Sequence, residues 1–437
     1  MPQVAIIGSG IAGLGTAWFL HRDFQVTIFE AAAHIGGHTN TVTIEEAGRP
    51  VSIDTGFMVF NRVTYPHLVR LFQTLDVPTK RTDMSFSVRH DGQGLEFCGS
   101  SLNELFAQRR NLFRPSFYRM LLSIDRFNRE AVAALDDPAL GSLTLADYVS
   151  RGGYGRDFLE LYLVPMSAAV WSAPPEEMLR FPAATLLRFF HNHGFLGLHT
   201  QHPWWTVEGG AKSYVERLIR PFAERIHVRT PVREVRRAGG RIRVSTDTGA
   251  QIFDKVVFAC HPPTTCALLG ADATPMERQL LSAFRYQPNV VTLHTDESVM
   301  PRTRRAWSSW NYRIEAPAAR WAGDGNPPRP GPDASTHYWM NRLQGVSFRT
   351  NYFVSVNGGG VINPAKVLRT IPCEHPLFDL AACSAQADIP ALNAAGLRGS
   401  ETYFAGAWQR YGFHEDGLLS AVNLSRLLLN RDPWSER

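Results

Sequence analysis

The sequence predicts an α/β protein with a first domain built on a doubly wound parallel sheet and a second domain of sheet plus helices. An apolar strand pattern at 3–7 leads through a glycine-rich turn into a helical pattern that ends near His21, and a second strand pattern follows at 25–29. This order is typical of a strand-helix-strand unit. Further strand-like runs occur far along the chain, at 227–259 and 402–406. The chain has 437 residues, of which 44% are hydrophobic and 19% charged, which suits two globular domains and excludes a disordered chain.

The turn at residues 8–13 has the form GxGxxG. Its first glycine permits the tight turn, its second lets the backbone approach a diphosphate, and its third permits close packing of helix on strand. The helix start supplies amides and partial positive charge. The second strand ends on an acid that is placed for the ribose hydroxyls of an adenosine. The unit therefore predicts dinucleotide binding, with contacts from Gly8, Ser9, Gly10, Ala12, Gly13 and Glu30.

A glycine doublet, Gly36-Gly37, follows six residues after Glu30, although a plain NAD-binding domain does not need one. The doublet brings the backbone against the diphosphate from the other side. In this combination the sequence resembles the flavin amine oxidase superfamily, which includes monoamine oxidases, protoporphyrinogen oxidase and phytoene desaturases. The resemblance implies a Rossmann-like FAD-binding domain. The family commonly has an arginine after the doublet, where this chain has His38, followed by Thr39.

Two further stretches resemble the family's cofactor site. DTGFMVF at 54–60 is similar to its D-x-G stretch, which implies that Gly56, Phe57 and Met58 lie along the flavin ring. EGGAKSYV at 208–215 resembles its GG stretch that opens a helix, and strand patterns follow at 227–259. Within them, the resemblance implies that the backbone of Val232 meets the adenine.

The C-terminal signature is the most specific part of the resemblance. A strand with a glycine turn runs from Thr402 to Gly406, and 412–421 opens a helix that we predict to run through Leu427. In the family this helix start points at the flavin N1 and O2, where negative charge develops. The implied contacts are Gly406, Gly417 and Leu418. Because no cysteine lies between Tyr403 and Arg437, we predict that FAD is bound non-covalently.

His414 is the predicted catalytic residue. It precedes the flavin-facing helix at about the place where amine oxidases have an aromatic side chain before the ring. A neutral imidazole there would pack on the substrate or relay a proton, and the alternative is that it only hydrogen-bonds the turn. Glu415 and Asp416 follow it, but acids are favoured in the first turn of any helix.

The predicted FAD-binding domain is discontinuous and comprises residues 1–75, 206–275 and 395–437. The predicted substrate domain comprises 76–205 and 276–394. Its first part is rich in Leu, Phe and Arg with helical periodicity, and strand-like runs return over 287–356.

The substrate prediction comes from a finer resemblance. GGHTNTV, LHTDESVMP and GFHEDGLLSA look like a branch of NAD/FAD-binding proteins that is associated with cyclopropane-fatty-acyl-phospholipid synthases. This association implies an FAD-dependent oxidoreductase of the desaturase type that removes hydride from a lipid acyl chain. One alternative is oxidation of a small amine. No lysine lies between Lys255 and Lys366, whereas amine oxidases have, near the position of Asn289, a lysine that holds water at flavin N5. Another alternative is a non-catalytic lipid-binding protein, since Rab escort and GDP-dissociation-inhibitor proteins share the architecture.

We predict no metal site. The four histidines His191, His193, His199 and His202 lie within twelve residues, but no carboxylate or cysteine accompanies them at ligand spacing. We interpret them as cleft-lining or capping residues.

Cysteine usage and the N-terminus indicate a cytoplasmic protein. The five cysteines have no CxxC spacing, which argues against a disulfide framework. Residues 1–20 lack charge and contain four glycines, so a strand-turn-helix is favoured over a signal peptide or membrane span.

One segment predicts peripheral contact with the inner membrane face. Bases alternate with apolar residues at Arg109, Arg110, Leu112, Phe113, Arg114, Phe117, Tyr118 and Arg119. Such a pattern fits an anionic phospholipid surface or, alternatively, a solvated helix whose apolar side faces the core. No motif indicates nucleic acid as a partner. The predicted partner is a small-molecule or lipid substrate, and the oligomeric state is left open.

Overall fold

The computed structural model describes residues 1–197, 200–315 and 334–435. In chain order the strands are β1 Gln3–Ile7, β2 Gln25–Phe29, β3 Thr41–Glu46, β4 Arg49–Asp54, β5 Phe60–Asn61, β6 Thr79–Thr82, β7 Phe86–His90, β8 Leu95–Cys98, β9 Trp204–Val207, β10 Ile226–His227, β11 Val232–Ala238, β12 Arg241–Thr246, β13 Gly249–Phe253, β14 Lys255–Phe258, β15 Arg285–His294, β16 Trp310–Ile314, β17 Ala334–Trp339, β18 Phe353–Val356, β19 Val367–Leu377 and β20 Thr402–Phe404. The helices are α1 Ile11–Leu20, α2 Pro66–Thr74, α3 Leu102–Leu105, α4 Pro115–Ala134, α5 Leu145–Gly152, α6 Arg156–Phe158, α7 Val164–Trp171, α8 Pro175–Leu179, α9 Ala183–Asn192, α10 Lys212–Leu218, α11 Pro262–Leu269, α12 Pro275–Leu281, α13 Met340–Leu343, α14 Leu380–Gln386, α15 Ile389–Ala395 and α16 His414–Leu429.

The chain divides into two compact units. The first unit consists of Met1–Lys80, Trp205–Tyr286 and Pro376–Arg437, and the second of Arg81–Trp204 and Gln287–His375. Residues 76–80, 276–286 and 376–394 therefore belong to the first unit, whereas the sequence placed them in the substrate domain. For 376–394 the reason is packing: helices α14 and α15 contribute Ala382, Ala385, Ile389 and Leu392 to a core cluster that also contains Phe404 and Trp408.

The first unit is built on a five-stranded sheet in the order β10-β2-β1-β14-β20. All of its pairings are parallel, and Val4, Ala5 and Ile6 in the central strand are fully buried. Such apolar runs are expected where both faces of a parallel sheet are covered. Helix α1 is buried along its whole length. This arrangement confirms the predicted α/β class.

Smaller sheets accompany it. An antiparallel meander, β11-β12-β13, carries an irregularity between Val232 and Glu234. Strands β3 and β4 form a hairpin, and β5-β9-β6 form a three-stranded sheet.

The second unit contains a seven-stranded sheet in the order β19-β15-β18-β17-β16-β7-β8. The pairing of β16 with β7 is parallel, while β15-β18, β17-β18 and β16-β17 are antiparallel. Helices α3 to α9 occupy the stretch that the sequence predicted to be helical. In the part of the chain that the structure describes, no helix is long and apolar enough to cross a membrane.

Candidate cofactor and active site

The turn between β1 and α1 has backbone requirements that only glycine meets. Gly8 has a φ of 106°, and a side-chain carbon there would lie 2.6 Å from the Ala259 carbonyl oxygen. A side-chain carbon on Gly13 would lie 2.0 Å from the Gly8 carbonyl oxygen, so any larger residue would separate helix from strand. Gly10 has open space instead, with nothing within 4 Å of the position of a side-chain carbon. An open backbone surface therefore lies at the start of α1, where unpaired amides favour an anion.

Glu30 lies beside this turn and is tied to it. Its Oε2 accepts hydrogen bonds from the Ser9 amide at 2.9 Å and the Ser9 hydroxyl at 2.6 Å. Its Oε1 accepts one from the Ala32 amide at 2.8 Å. The carboxylate thus joins the end of β2 to the glycine turn, and its contact with a ribose stays a prediction.

The glycine doublet reaches the same turn from the other side. Gly36 and Gly37 have φ values of 126° and 57°, in the left-handed region that favours glycine. A side-chain carbon on Gly37 would lie 3.0 Å from the Gly10 Cα, and the Gly36 amide donates to the Ser9 hydroxyl at 3.3 Å. The two motifs therefore form one backbone surface.

The D-x-G stretch positions two other predicted segments. Both carboxylate oxygens of Asp54 accept the Ala211 amide, at 2.9 and 3.0 Å, just before α10 begins. This contact links the D-x-G and GG stretches, and sequence reasoning did not assign it. The Phe57 amide donates to the His38 carbonyl at 2.8 Å. A side-chain carbon on Gly56 would lie 2.0 Å from the same oxygen, so only glycine fits.

Met58 is buried, and its carbonyl accepts the Thr206 hydroxyl at 2.8 Å. The bond ties the end of the D-x-G stretch to β9. Thr206 carried no sequence signal, because a threonine in a strand is common.

His414 lies in a cluster of aromatic and hydroxyl side chains. Its ring stacks on Phe57 with centroids 3.9 Å apart and planes 13° apart. Its Nε2 is 2.6 Å from the Tyr214 hydroxyl and 3.4 Å from the Thr39 hydroxyl. The Tyr214 and Thr39 oxygens are themselves 2.6 Å apart. Burial, together with the nearby His38, lowers the pKa of His414 to about 3, so the imidazole is neutral near pH 7.

Tyr214 is the principal residue of this cluster that sequence reasoning missed. It is fully buried, and burial raises the pKa of its phenol. It lies in the EGGAKSYV stretch, but nothing in that pattern indicated which element its hydroxyl would meet.

The start of α16 packs against the start of α1. A side-chain carbon on Gly417 would lie 2.7 Å from Ile11 Cγ2 and 3.8 Å from the Ala12 amide nitrogen, and one on Gly15 would lie 2.9 Å from Leu418 Cδ1. Two helix N-termini, those of α1 and α16, therefore meet beside the open turn.

Ser420 connects the predicted glycine contacts of the C-terminal signature. The Gly406 amide donates to its hydroxyl at 2.9 Å, and the hydroxyl donates to the Gly417 carbonyl at 2.6 Å. The end of β20 is thereby fixed to the first turn of α16.

The two acids in that first turn are buried and hydrogen-bonded. Glu415 accepts the amides of His67 and Leu68 at 3.0 and 2.9 Å, at the start of α2. Asp416 accepts the Phe413 amide at 2.9 Å and lies 3.7 Å from the Arg410 guanidinium. Burial raises the pKa of Glu415 to about 7 and that of Asp416 to about 6.

Val232 lies on the meander, where it packs against the apolar cluster that contains Phe29. Its backbone contact with an adenine stays a prediction.

The histidine group belongs to the second unit. His193 Nδ1 is 2.9 Å from the Phe189 carbonyl, and His202 Nε2 is 3.0 Å from the Asn192 carbonyl. His199 lies outside the described residues. Among those that are described, no three His, Cys, Asp or Glu side chains are grouped as metal ligands would be.

The first unit fits an extended dinucleotide. The open backbone at Gly10 and the adjoining doublet suit a diphosphate, and Glu30 ends the neighbouring strand as a ribose contact requires. The first turn of α16 and Phe57 are near enough to His414 to share one site with it. These residues would hold FAD, while the role of each one stays a prediction.

Comparison with known proteins agrees with this geometry. The model of the family of flavin-containing amine oxidoreductases matches residues 11–322, well over half of the chain. Carotenoid phi-ring synthase of Streptomyces griseus is 27% identical over 297 residues, which cover 62% of this chain and 54% of the synthase. The matched part thus spans only about half the length of that relative.

Solved structures with the same fold include a fatty acid isomerase and an amine oxidase. The CLA-producing fatty acid isomerase from P. acnes has a TM-score of 0.67 and 13% identity, with 98% of each chain covered. Cyclohexylamine oxidase from Brevibacterium oxydans IH-35A has a TM-score of 0.66 and 17% identity, with 98% of this chain and 99% of that one covered. At these identities the likeness shows a shared fold.

Proposed function

Since this chain belongs to the family of flavin-containing amine oxidoreductases, we propose that it oxidises the acyl chain of a lipid to an alkene. It is an FAD-dependent oxidoreductase, as predicted, rather than a non-catalytic lipid-binding protein. FAD, when bound, supplies the two-electron acceptor that such an oxidation needs. The carotenoid and fatty acid names of two relatives support a long apolar substrate.

The observation that carries the proposal is the uncharged character of the His414 cluster. His414 is neutral because its pKa is about 3, and its ring faces Phe57 and Tyr214. The adjacent Glu415 and Asp416 carboxylates are engaged by backbone amides. An ammonium group would find no available anion among these side chains, whereas an alkyl chain requires none.

We assign His414 the role of packing on the substrate or relaying a proton. Tyr214 and Thr39 fix the orientation of the imidazole through Nε2. A neutral imidazole accepts a proton at one nitrogen while it donates from the other. The His414 cluster thus offers a weak, oriented base, and the side chains that contact the imidazole, Phe57, Tyr214 and Thr39, carry no charge.

Asn289 supports the same choice. It is buried in the second unit, and its side-chain amide donates to the Ser172 carbonyl at 2.8 Å. A second bond, of the same length, joins it to His375 Nδ1. The Asn289 side chain carries no positive charge, unlike the lysine that amine oxidases have near this position.

Oxidation of a small amine is the second candidate, because the family is named for amine substrates and a cyclohexylamine oxidase shares the fold. The predicted association with cyclopropane-fatty-acyl-phospholipid synthases stays a prediction, and it makes phospholipids with methyl-branched or unsaturated chains the first substrates to test.

The test is anaerobic mixing of the purified holoprotein with phospholipids on one side and a panel of amines on the other. We expect the flavin absorbance to bleach with phospholipid and not with amines, and the lipid product to have lost two hydrogens by mass spectrometry. Rapid bleaching by an amine, with none by lipid, would overturn the proposal.

A further inference from the structure

Large apolar side chains are exposed in one short segment of the second unit, residues 102–122. Phe113 is 85% exposed, Leu102 77% and Leu122 69%, while Leu112 and Tyr118 are about two-fifths exposed. Single exposed apolar residues are ordinary, but a concentration of them marks an interaction surface.

Contacts within the segment connect Leu112 with Tyr118, and Leu122 lies one turn further along the same helix, α4. The Tyr118 hydroxyl donates to the Leu112 carbonyl at 3.1 Å, and the Tyr118 ring lies 6.0 Å from the ring of Phe106. Phe117 and Met120 are buried on the opposite side of α4. Helix α4 thus has an inward apolar side, as the second sequence interpretation expects, and its first turns also expose apolar residues. Contact with a membrane stays a prediction.

The same segment carries cations whose charge is not neutralised. Arg109 donates to the Phe106 carbonyl at 2.9 Å, Arg110 to the Gly94 carbonyl and Arg114 to the Gln93 carbonyl at 3.0 Å. Within the described parts of the chain, no carboxylate forms an ion pair with any of these three. Arg119 has only a long contact of 3.8 Å with Asp157.

We propose that residues 102–122 form a docking surface for an anionic phospholipid bilayer. Anionic headgroups match the three arginines, and Phe113, Leu112 and Leu122 supply the shallow apolar insertion that such binding requires. An acidic protein would also match the charge of the three arginines, but it would offer no apolar layer into which Phe113, Leu112 and Leu122 could insert. The proposal deepens the proposed function by naming where the lipid substrate is met, and in that respect it rests on it.

The test is co-sedimentation of the full-length holoprotein with vesicles. One set of vesicles is an equal mixture of phosphatidylglycerol and phosphatidylcholine, and the other set is phosphatidylcholine alone. We expect binding to the mixed vesicles that weakens as salt increases, and little binding to phosphatidylcholine. Absence of binding to the mixed vesicles would overturn the proposal.

Two variants locate the surface. Reversal of Arg109, Arg110 and Arg114 to Glu should weaken binding at least about fivefold for each arginine, and so at least about a hundredfold together. Phe113→Ser with Leu122→Ser should weaken binding by at least about tenfold. Flavin spectra identical to those of the native protein show that both variants are folded.

The control variants make the same kinds of change, charge reversal and loss of an exposed apolar side chain, in the first unit. Three exposed arginines of the first unit, Arg220, Arg243 and Arg398, are reversed to Glu. Each triple variant changes the net charge by −6, from +5 to −1. Leu397→Ser removes an apolar side chain that is 49% exposed. Equal loss of binding in control and test variants would overturn the assignment to this segment.

Failure of the docking surface and failure of the proposed function are distinguishable. Turnover on detergent-dispersed phospholipid should be normal in the docking variants. Vesicle binding without any flavin bleaching by lipid would leave the docking surface in place and refute the lipid substrate.

Discussion

At the scale of single residues, the site depends on a hydrogen bond between segments 200 residues apart in sequence. Tyr214 is the closest hydrogen-bonding partner of His414 Nε2 at 2.6 Å, whereas Thr39 is 3.4 Å away. Since the phenol is buried and its pKa is raised, it stays protonated. It therefore orients the imidazole without adding charge.

Tyr214→Phe should slow flavin reduction by substrate about tenfold, which corresponds to one hydrogen bond of ordinary strength. The ring is kept, so we expect FAD affinity and KM to change little. Stopped-flow absorbance gives the rate, and titration of stripped protein gives the affinity. Tyr403→Phe is the control, because Tyr403 is also fully buried in the first unit and its hydroxyl contacts only Glu401 among the bonds described. An unchanged rate in Tyr214→Phe would remove this residue from the site.

At the scale of elements, the start of α16 is fixed by its neighbours. Glu415, in its first turn, accepts two amides at the start of α2, which would otherwise be unsatisfied. Ser420, one turn further on, fixes the end of β20. His414, Gly417 and Leu418 are positioned because the helix that carries them is held at both points.

Glu415→Ala should lower the free energy of unfolding by about 1–2 kcal/mol, since it removes a cap from α2 and leaves buried amides unpaired. Urea denaturation in excess FAD measures the change. Glu216→Ala, at an exposed position on α10, is the control and should change stability by less than about 0.5 kcal/mol. Equal stability of the two variants would mean that the α2 contact contributes nothing.

At the scale of the whole molecule, the second unit carries a buried chain of polar groups across β15, β18 and β17. The Asp296 amide donates to His294 Nδ1 at 3.1 Å, and His294 Nε2 is 2.7 Å from the Ser355 hydroxyl. That hydroxyl is 2.6 Å from His337 Nδ1, and His337 Nε2 is 3.0 Å from the Ser335 hydroxyl. A proton on His294 Nδ1 would face the Asp296 amide donor.

The two histidines in this buried row of polar groups predict that the protein loses stability in acid. Burial, aided by Lys366 and opposed by Asp296, lowers the pKa of His294 to about 4. The pKa of His337 is lowered too, by burial and then by His294, Arg313 and Arg89 nearby. Well above pH 6.5, the ordinary pKa of histidine, neither the folded nor the unfolded state binds the proton, and the full stability is present. As the pH falls toward 4, His294 binds a proton in the unfolded state but not in the folded state, so the free energy of unfolding decreases.

His294 alone should account for a loss of about 2 kcal/mol between pH 7 and pH 5. Urea denaturation in excess FAD at the two pH values measures it. His294→Gln should be less stable than the native chain at pH 7 but should lose less stability on acidification. Identical losses in both proteins would exclude His294 as the source.

The sequence by itself determined the strand-turn-helix start, the parallel sheet and the positions of the glycine motifs. These features follow from local requirements: apolar runs of strand length, and φ values and close approaches that only Gly8, Gly13 or Gly56 tolerate. Tertiary structure alone decided that Tyr214 meets His414, that Glu415 caps α2, and that α14 and α15 join the first unit. It also decided that Phe117 is buried while Phe113 is exposed. Hydrogen bonds and apolar contacts between remote segments depend on how the elements pack, and a local pattern of residue types carries no record of the partner that a side chain will meet.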